Sequence, residues 1–112
     1  VMATTFKYVR NDTGPQIKLN LTEEDTGDPV DLTSATVTLH FRAAGEDTIL
    51  FSRAFFINPA TATTGVAVLQ WQVGDLNVEA GAYEGEVEVV KSNGLRETLY
   101  DKLKFKIRED FA

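Results

Sequence analysis

Residues 66–90, VAVLQWQVGDLNVEAGAYEGEVEVV, leave little choice about the kind of fold this chain can adopt. Ala67, Leu69, Trp71 and Val73 alternate with Val66, Val68, Gln70 and Gln72. Further on, Tyr83, Gly85, Val87 and Val89 share one face of a strand and Glu84, Glu86 and Glu88 share the other. A period of two with one polar face marks a half-buried β-strand. The stretch therefore reads as strand, corner, strand.

The corner GDLNVEAGAY carries Leu76, Glu79, Gly81 and Tyr83. These residues resemble the corner of immunoglobulin-like sandwiches, where a Tyr early in a strand bonds back to the upstream backbone. A chain crossing between sheets needs such a pin. A buried ring with a polar tip supplies it and also satisfies a loop backbone group. Trp71, Gly81 and Tyr83 are accordingly expected to be structural corner residues.

The rest of the chain repeats the theme. TFKYVR places Phe6, Tyr8 and Arg10 on one face, and a turn cluster, NDTGP, ends it. QIKLNLT alternates Ile17, Leu19 and Leu21 with Lys18 and Asn20, and residues 35–43 point Val37, Leu39 and Phe41 inward. Residues 49–58, ILFSRAFFIN, do not alternate. One face would carry Ile49, Phe51, Arg53, Phe55 and Ile57 and the other Leu50, Ser52, Ala54 and Phe56, both largely apolar. A strand covered on one face only should not read this way. A face left outside the core would mark a protein contact, and Phe51, Arg53, Phe55 and Ile57 are the candidate interface. NPATATTG reads as a small-residue loop, and no segment has helical periodicity.

Asn93-Gly94 is a strong two-residue hairpin signal and would place Ser92 opposite Leu95. That register, continued, would set Lys104 against the inward Tyr83. Placing Phe105 opposite Tyr83 and Glu84 opposite Lys104 matches both faces and pairs opposite charges. A β-bulge near residues 100–102, with Asp101 as the extra residue, reconciles the two. The sum is an all-β, immunoglobulin-like sandwich of about seven antiparallel strands, with a small barrel as the alternative. The 112 residues form a single domain, 1–112. Val1 ahead of Met2 reads as a cloning remnant, so the native chain is expected to start at Met2 and to be nearly complete.

Composition narrows the chemistry. There is no cysteine, which removes disulfides, thiolate metal sites and a Cys nucleophile. The net charge of -6 repels phosphate backbones, so nucleic acid is not expected as a partner. No apolar run reaches the ~20 residues of a membrane span, so no membrane is expected either. A single histidine, His40, falls on a solvent face, and neither a triad nor a transition-metal cluster assembles in the usual way around it. The Glu row 84, 86, 88 reads as a solvated charge ladder against a lysine row. Residues 23–31 hold five acids but lack EF-hand spacing, and read as a solvated loop. No catalytic residue, metal site or cofactor is expected.

The order of motifs is similar to one known family. LTEEDTGDPVDLTSATVTLHFR resembles the acidic turn and following strand of phage tail and baseplate proteins, with Ser34 where Gly is usual. Gly65, Trp71, Gly74-Asp75, Gly81, Tyr83 and Glu88 match its later pattern, in which Ala67 and Leu69 replace larger residues. Asn93-Gly94 with Glu97-Thr98, and Ile107 to Asp110, match its hairpin and its close. The chain thus resembles, over residues 16–110, the N-terminal immunoglobulin-like domain of phage baseplate upper proteins. The resemblance implies a non-enzymatic virion component, a tail, baseplate or neck module. Its partners would be other phage virion proteins, in a homo-oligomer or ring, and it would occupy the host cytoplasm before assembly. The alternative is a module binding carbohydrate or the host surface, with Trp71 or Tyr8 as a stacking platform for a glycan.

Overall fold

Inward side chains at every second position build the core, as the alternation requires. The computed structural model describes residues 5–99 and 102–111. Its strands are β1 Thr5–Val9, β2 Ile17–Asn20, β3 Thr36–Ala43, β4 Phe51–Ala54, β5 Val66–Leu69, β6 Gly81–Val90, β7 Arg96–Thr98 and β8 Leu103–Arg108. One sheet has the order β1-β8-β6-β3-β4, with β7 also on β6; β2 and β5 form the other. This is the expected all-β, immunoglobulin-like sandwich. Ile17, Leu19, Leu21, Val37, Leu39, Phe41, Val87, Val89, Leu103, Phe105 and Ile107 are all buried. Trp71 sits among them, 1% exposed, with its ring edge-on to those of Tyr8, Phe41 and Phe105 at centroid distances of 5.5, 5.8 and 5.7 Å.

The corner forms as the sequence led us to expect. The Tyr83 hydroxyl donates to the Glu79 carbonyl at 2.5 Å, and its ring stacks on Phe41 at 5.2 Å. Tyr83→Phe keeps the stack and loses the bond. It should lower stability by about 1 kcal/mol, some 4 °C of melting temperature in a chain of this size. An unchanged melting temperature would remove the pin from the account.

Several details depart from the reading of the sequence. The β1–β8 pair is parallel, with Phe6 beside Phe105 and Tyr8 beside Ile107. Alternation specifies which face a strand buries and leaves its direction open. β5 ends at Leu69, and Val73 is 93% exposed, because a turn closed by the bond from Asp75 N–H to the Gln72 carbonyl breaks the alternation. Residues Pro59–Thr64 form a 3-10 helix capped by Asn58, whose side chain accepts from the Ala60 amide. Its Ala62 is buried and its carbonyl accepts from Leu32 N–H.

The hairpin loop has three residues, 92–94. Lys91 N–H bonds to the Leu95 carbonyl, so Lys91 and not Ser92 faces Leu95. Further along, Tyr83 faces Phe105 and Glu84 faces Lys104, as charge and burial demanded. The register break is real. Glu88 faces Thr98 while Gly85 faces Leu103, three steps along β6 against five on the other side. The expected extra residue, Asp101, lies with Tyr100 outside the described residues.

Ser34 gives the Gly-for-Ser difference a physical meaning. Its φ is 56°, a left-handed backbone, in the turn closed by Ala35 N–H on the Leu32 carbonyl. Such a conformation costs a side-chain-bearing residue about 1 kcal/mol. Ser34→Gly should therefore raise the melting temperature by about 4 °C. A fall on thermal denaturation would show that the serine hydroxyl compensates.

Candidate functional site

The segment that fails to alternate is where inside and outside must be decided. β4 lies at the edge of its sheet and pairs with β3 from Thr38↔Ala54 to Phe41↔Phe51. The ring of Phe51 stacks on Phe41 at 4.9 Å, Phe55 is 6% exposed, and Ile57 packs against the core. The face Phe51, Arg53, Phe55, Ile57 therefore points inward, and the interface expected there is corrected. The cause is a change of sheet within two residues. Phe55 N–H bonds to Val37 in the large sheet, and Phe56 then exchanges both backbone bonds with Val68 in the small one. What is left outside is Ile49, Leu50 and Phe56, the last 64% exposed.

Arg53 has an internal partner. Its Nε and Nη2 donate to the two oxygens of Asp75 at 3.0 and 2.5 Å, and the Gln72 amide donates to the same carboxylate at 2.9 Å. Asp75 is the buried charged residue among those described. Burying a carboxylate is tolerated when a bidentate guanidinium and an amide hold it. The Gly74-Asp75 pair of the corner is thus an anchor from the loop to β4. The pairing of an Arg on one strand with an Asp two elements later has no local signature, so sequence reasoning missed it.

On the solvent face of the large sheet, side chains from three strands form a polar row. His40 Nδ1 lies 2.6 Å from Ser52 Oγ, and its Nε2 lies 3.6 Å from Glu88 Oε1. The residue types are those of a hydrolytic triad, yet the second separation is too long for the hydrogen bond that would orient the ring. Glu88 also faces Arg96 at 3.6 Å. The row is a cross-strand polar ladder.

Glu84 is the best-held member of the neighbouring carboxylates. Burial would raise its pKa, but the Gly45 amide, Arg42 and Lys102 outweigh it and hold the carboxyl below its usual range. A depressed carboxyl contributes stability above its unfolded pKa and loses it as pH falls through the folded value. The melting-temperature gap between wild type and Glu84→Gln should be full above the ordinary glutamate range, about pH 5, and should narrow progressively as pH falls below about 4.3. A gap that persists at low pH would contradict the ion-pair origin.

Trp71 and Tyr8 do not form a platform. Both are buried, and the Tyr8 hydroxyl donates to the Pro15 carbonyl at 3.1 Å. Burial raises the Tyr8 pKa. Trp71 Nε1 is buried without a hydrogen-bond partner among the described residues. No group of three or more His, Asp or Glu among those residues is placed to hold a metal ion, and none of their helices is long and apolar enough to cross a membrane.

Compared with known proteins, the chain matches no family profile and no curated sequence. Among solved structures it is similar to CopC from Methylosinus trichosporium OB3b, with a TM-score of 0.54 and 11% identity, over 97% of this chain and 89% of that one. At that identity the likeness concerns the fold alone.

Proposed function

We propose that this chain is a non-enzymatic structural component of a tailed-phage or prophage virion, a tail, baseplate or neck module that works through protein contacts. The observation that carries the reading is the exposed apolar set Ile49, Leu50 and Phe56 beside the free edge of β4. An edge strand with uncovered apolar side chains is a ready surface for another chain. The motifs that resemble baseplate proteins support it from a second side, and three of their residues have structural posts: the Tyr83 pin, the Asp75 anchor and the tight passage at Gly65. Symmetric particles multiply weak contacts, so a modest patch per copy is enough.

The test is direct. Particles purified from an induced lysate of the strain carrying the gene should contain this chain at a fixed ratio to the other virion proteins. A chain carrying Leu50→Asp and Phe56→Asp should fold and yet be lost from them. Absence of the wild-type chain from particles overturns the reading. For a glycan, the buried positions of Trp71 and Tyr8 argue against stacking.

A further inference from the structure

One end of the molecule carries a basic cluster, Lys7, Lys106 and Arg108, of which Arg108 also donates to the Glu109 carbonyl and lies over the Phe111 ring. β1 and β8 run side by side with Lys7 directly beside Lys106 and Val9 beside Arg108, all on the solvent face. Like charges opposed across two strands are destabilising. Across β8 on the other side, Lys106 faces Ala82, and its diagonal neighbour Glu84 is paired instead with Arg42 and Lys102. Neither Lys7 nor Lys106 has an ionic partner among the described residues. Beside them is a groove of about 410 Å³, in which Val9 and Pro15 give an apolar floor and Asp12 is the one acid among the described lining residues.

The opposite end carries the complement. The bond from Glu23 N–H to Asp28 and the one from Gly27 N–H to Glu23 fold residues 23–28 into a tight turn, and Thr22 bridges Pro29. Glu23 ties this turn to Lys91 at 3.5 Å. Glu24, Asp25 and Asp28 are exposed and have no ionic partner among the described residues. β6 connects the two ends. Lys106 faces Ala82 near its start and Lys91 follows its last residue, a span of roughly 30 Å of extended chain. The molecule is 44 Å long, so turn and groove cannot meet within one copy.

We propose that copies of this chain associate head to tail, the acidic turn of one seating in the Lys7–Lys106–Arg108 groove of the next. The inference rests on the assembly reading and names its partner as a second copy. The turn is already folded, so little ordering is lost on docking. The two surfaces differ, so the contact is heterologous and generates a ring or a filament.

Sedimentation of the full chain over a range of concentrations tests this with two charge-reversed variants. One carries Lys7→Glu and Lys106→Glu, the other Glu24→Lys, Asp25→Lys and Asp28→Lys. In low salt the wild type should grow in mass with concentration. Each variant alone should need at least about tenfold more protein to reach the same average mass, and the wild type should behave likewise in 0.5 M salt, where exposed charges are screened. An equal mixture of the two variants should assemble again, because each then presents the charge the other lacks. A wild type that stays monomeric, or a mixture of folded variants that does not assemble, overturns the head-to-tail contact. If the chain is nonetheless recovered from particles, the structural role stands and only this contact falls.

Discussion

Gly65→Ala should cost far more stability than Gly45→Ala, although both glycines sit at nearly the same left-handed φ, 74° and 79°. At Gly45 an added Cβ meets nothing within 4 Å. The exchange there costs only the backbone term, about 1 kcal/mol, or some 4 °C. At Gly65 the same atom would stand 2.3 Å from the Leu21 carbonyl oxygen and 3.1 Å from Val30 N. Those are backbone atoms and cannot swing aside. Leu21 N–H bonds to the Gly65 carbonyl, and the Leu21 carbonyl accepts from Val30 N–H, so one displacement strains both bonds. A loss of at least about 3 kcal/mol is expected, more than 10 °C in thermal unfolding. Equal losses at the two sites would show that the passage at Gly65 is looser than described.

Phe55→Asp and Phe56→Asp should behave as opposites despite being neighbours. Phe55 is 6% exposed and Phe56 is 64% exposed. Removing the buried ring costs roughly 3–5 kcal/mol. Burying an unpaired carboxylate in its place adds several more. Together they approach the whole stability of a small domain, about 5–15 kcal/mol, so Phe55→Asp should be unfolded by circular dichroism at room temperature. Phe56→Asp should shift the urea midpoint little and should weaken contacts with other chains. A folded Phe55→Asp would mean that the strand presents its other face to the core.

These two residues also mark the boundary of what the sequence could convey. Where apolar and polar residues alternate, as in Ile17, Leu19 and Leu21 or in Leu103, Phe105 and Ile107, the buried face is written locally and the structure agrees. The Tyr83 corner was legible for the same reason, since its partner Glu79 lies four residues away. In residues 49–58 both faces are apolar, and the choice belongs to distant residues: Phe41, which takes up Phe51, and Val68, which draws Phe56 to the other sheet. The anchor between Arg53 and Asp75 and the parallel pairing of β1 with β8 depend equally on long-range placement. The Pro59–Thr64 helix escaped because a single 3-10 stretch is too short to show a period.

The bridge between Phe56 and Val68 has a consequence for how the molecule comes apart. Two strands of four residues, β2 and β5, could not persist as a sheet by themselves. They are joined to the larger sheet by backbone bonds at Phe56 as well as by shared side chains. Opening the small sheet therefore tears the continuation of β4 and uncovers Trp71 at the same moment. No stable half-open form is expected, and amide protons of Val68 and of mid-β6 should exchange with solvent through the same global event.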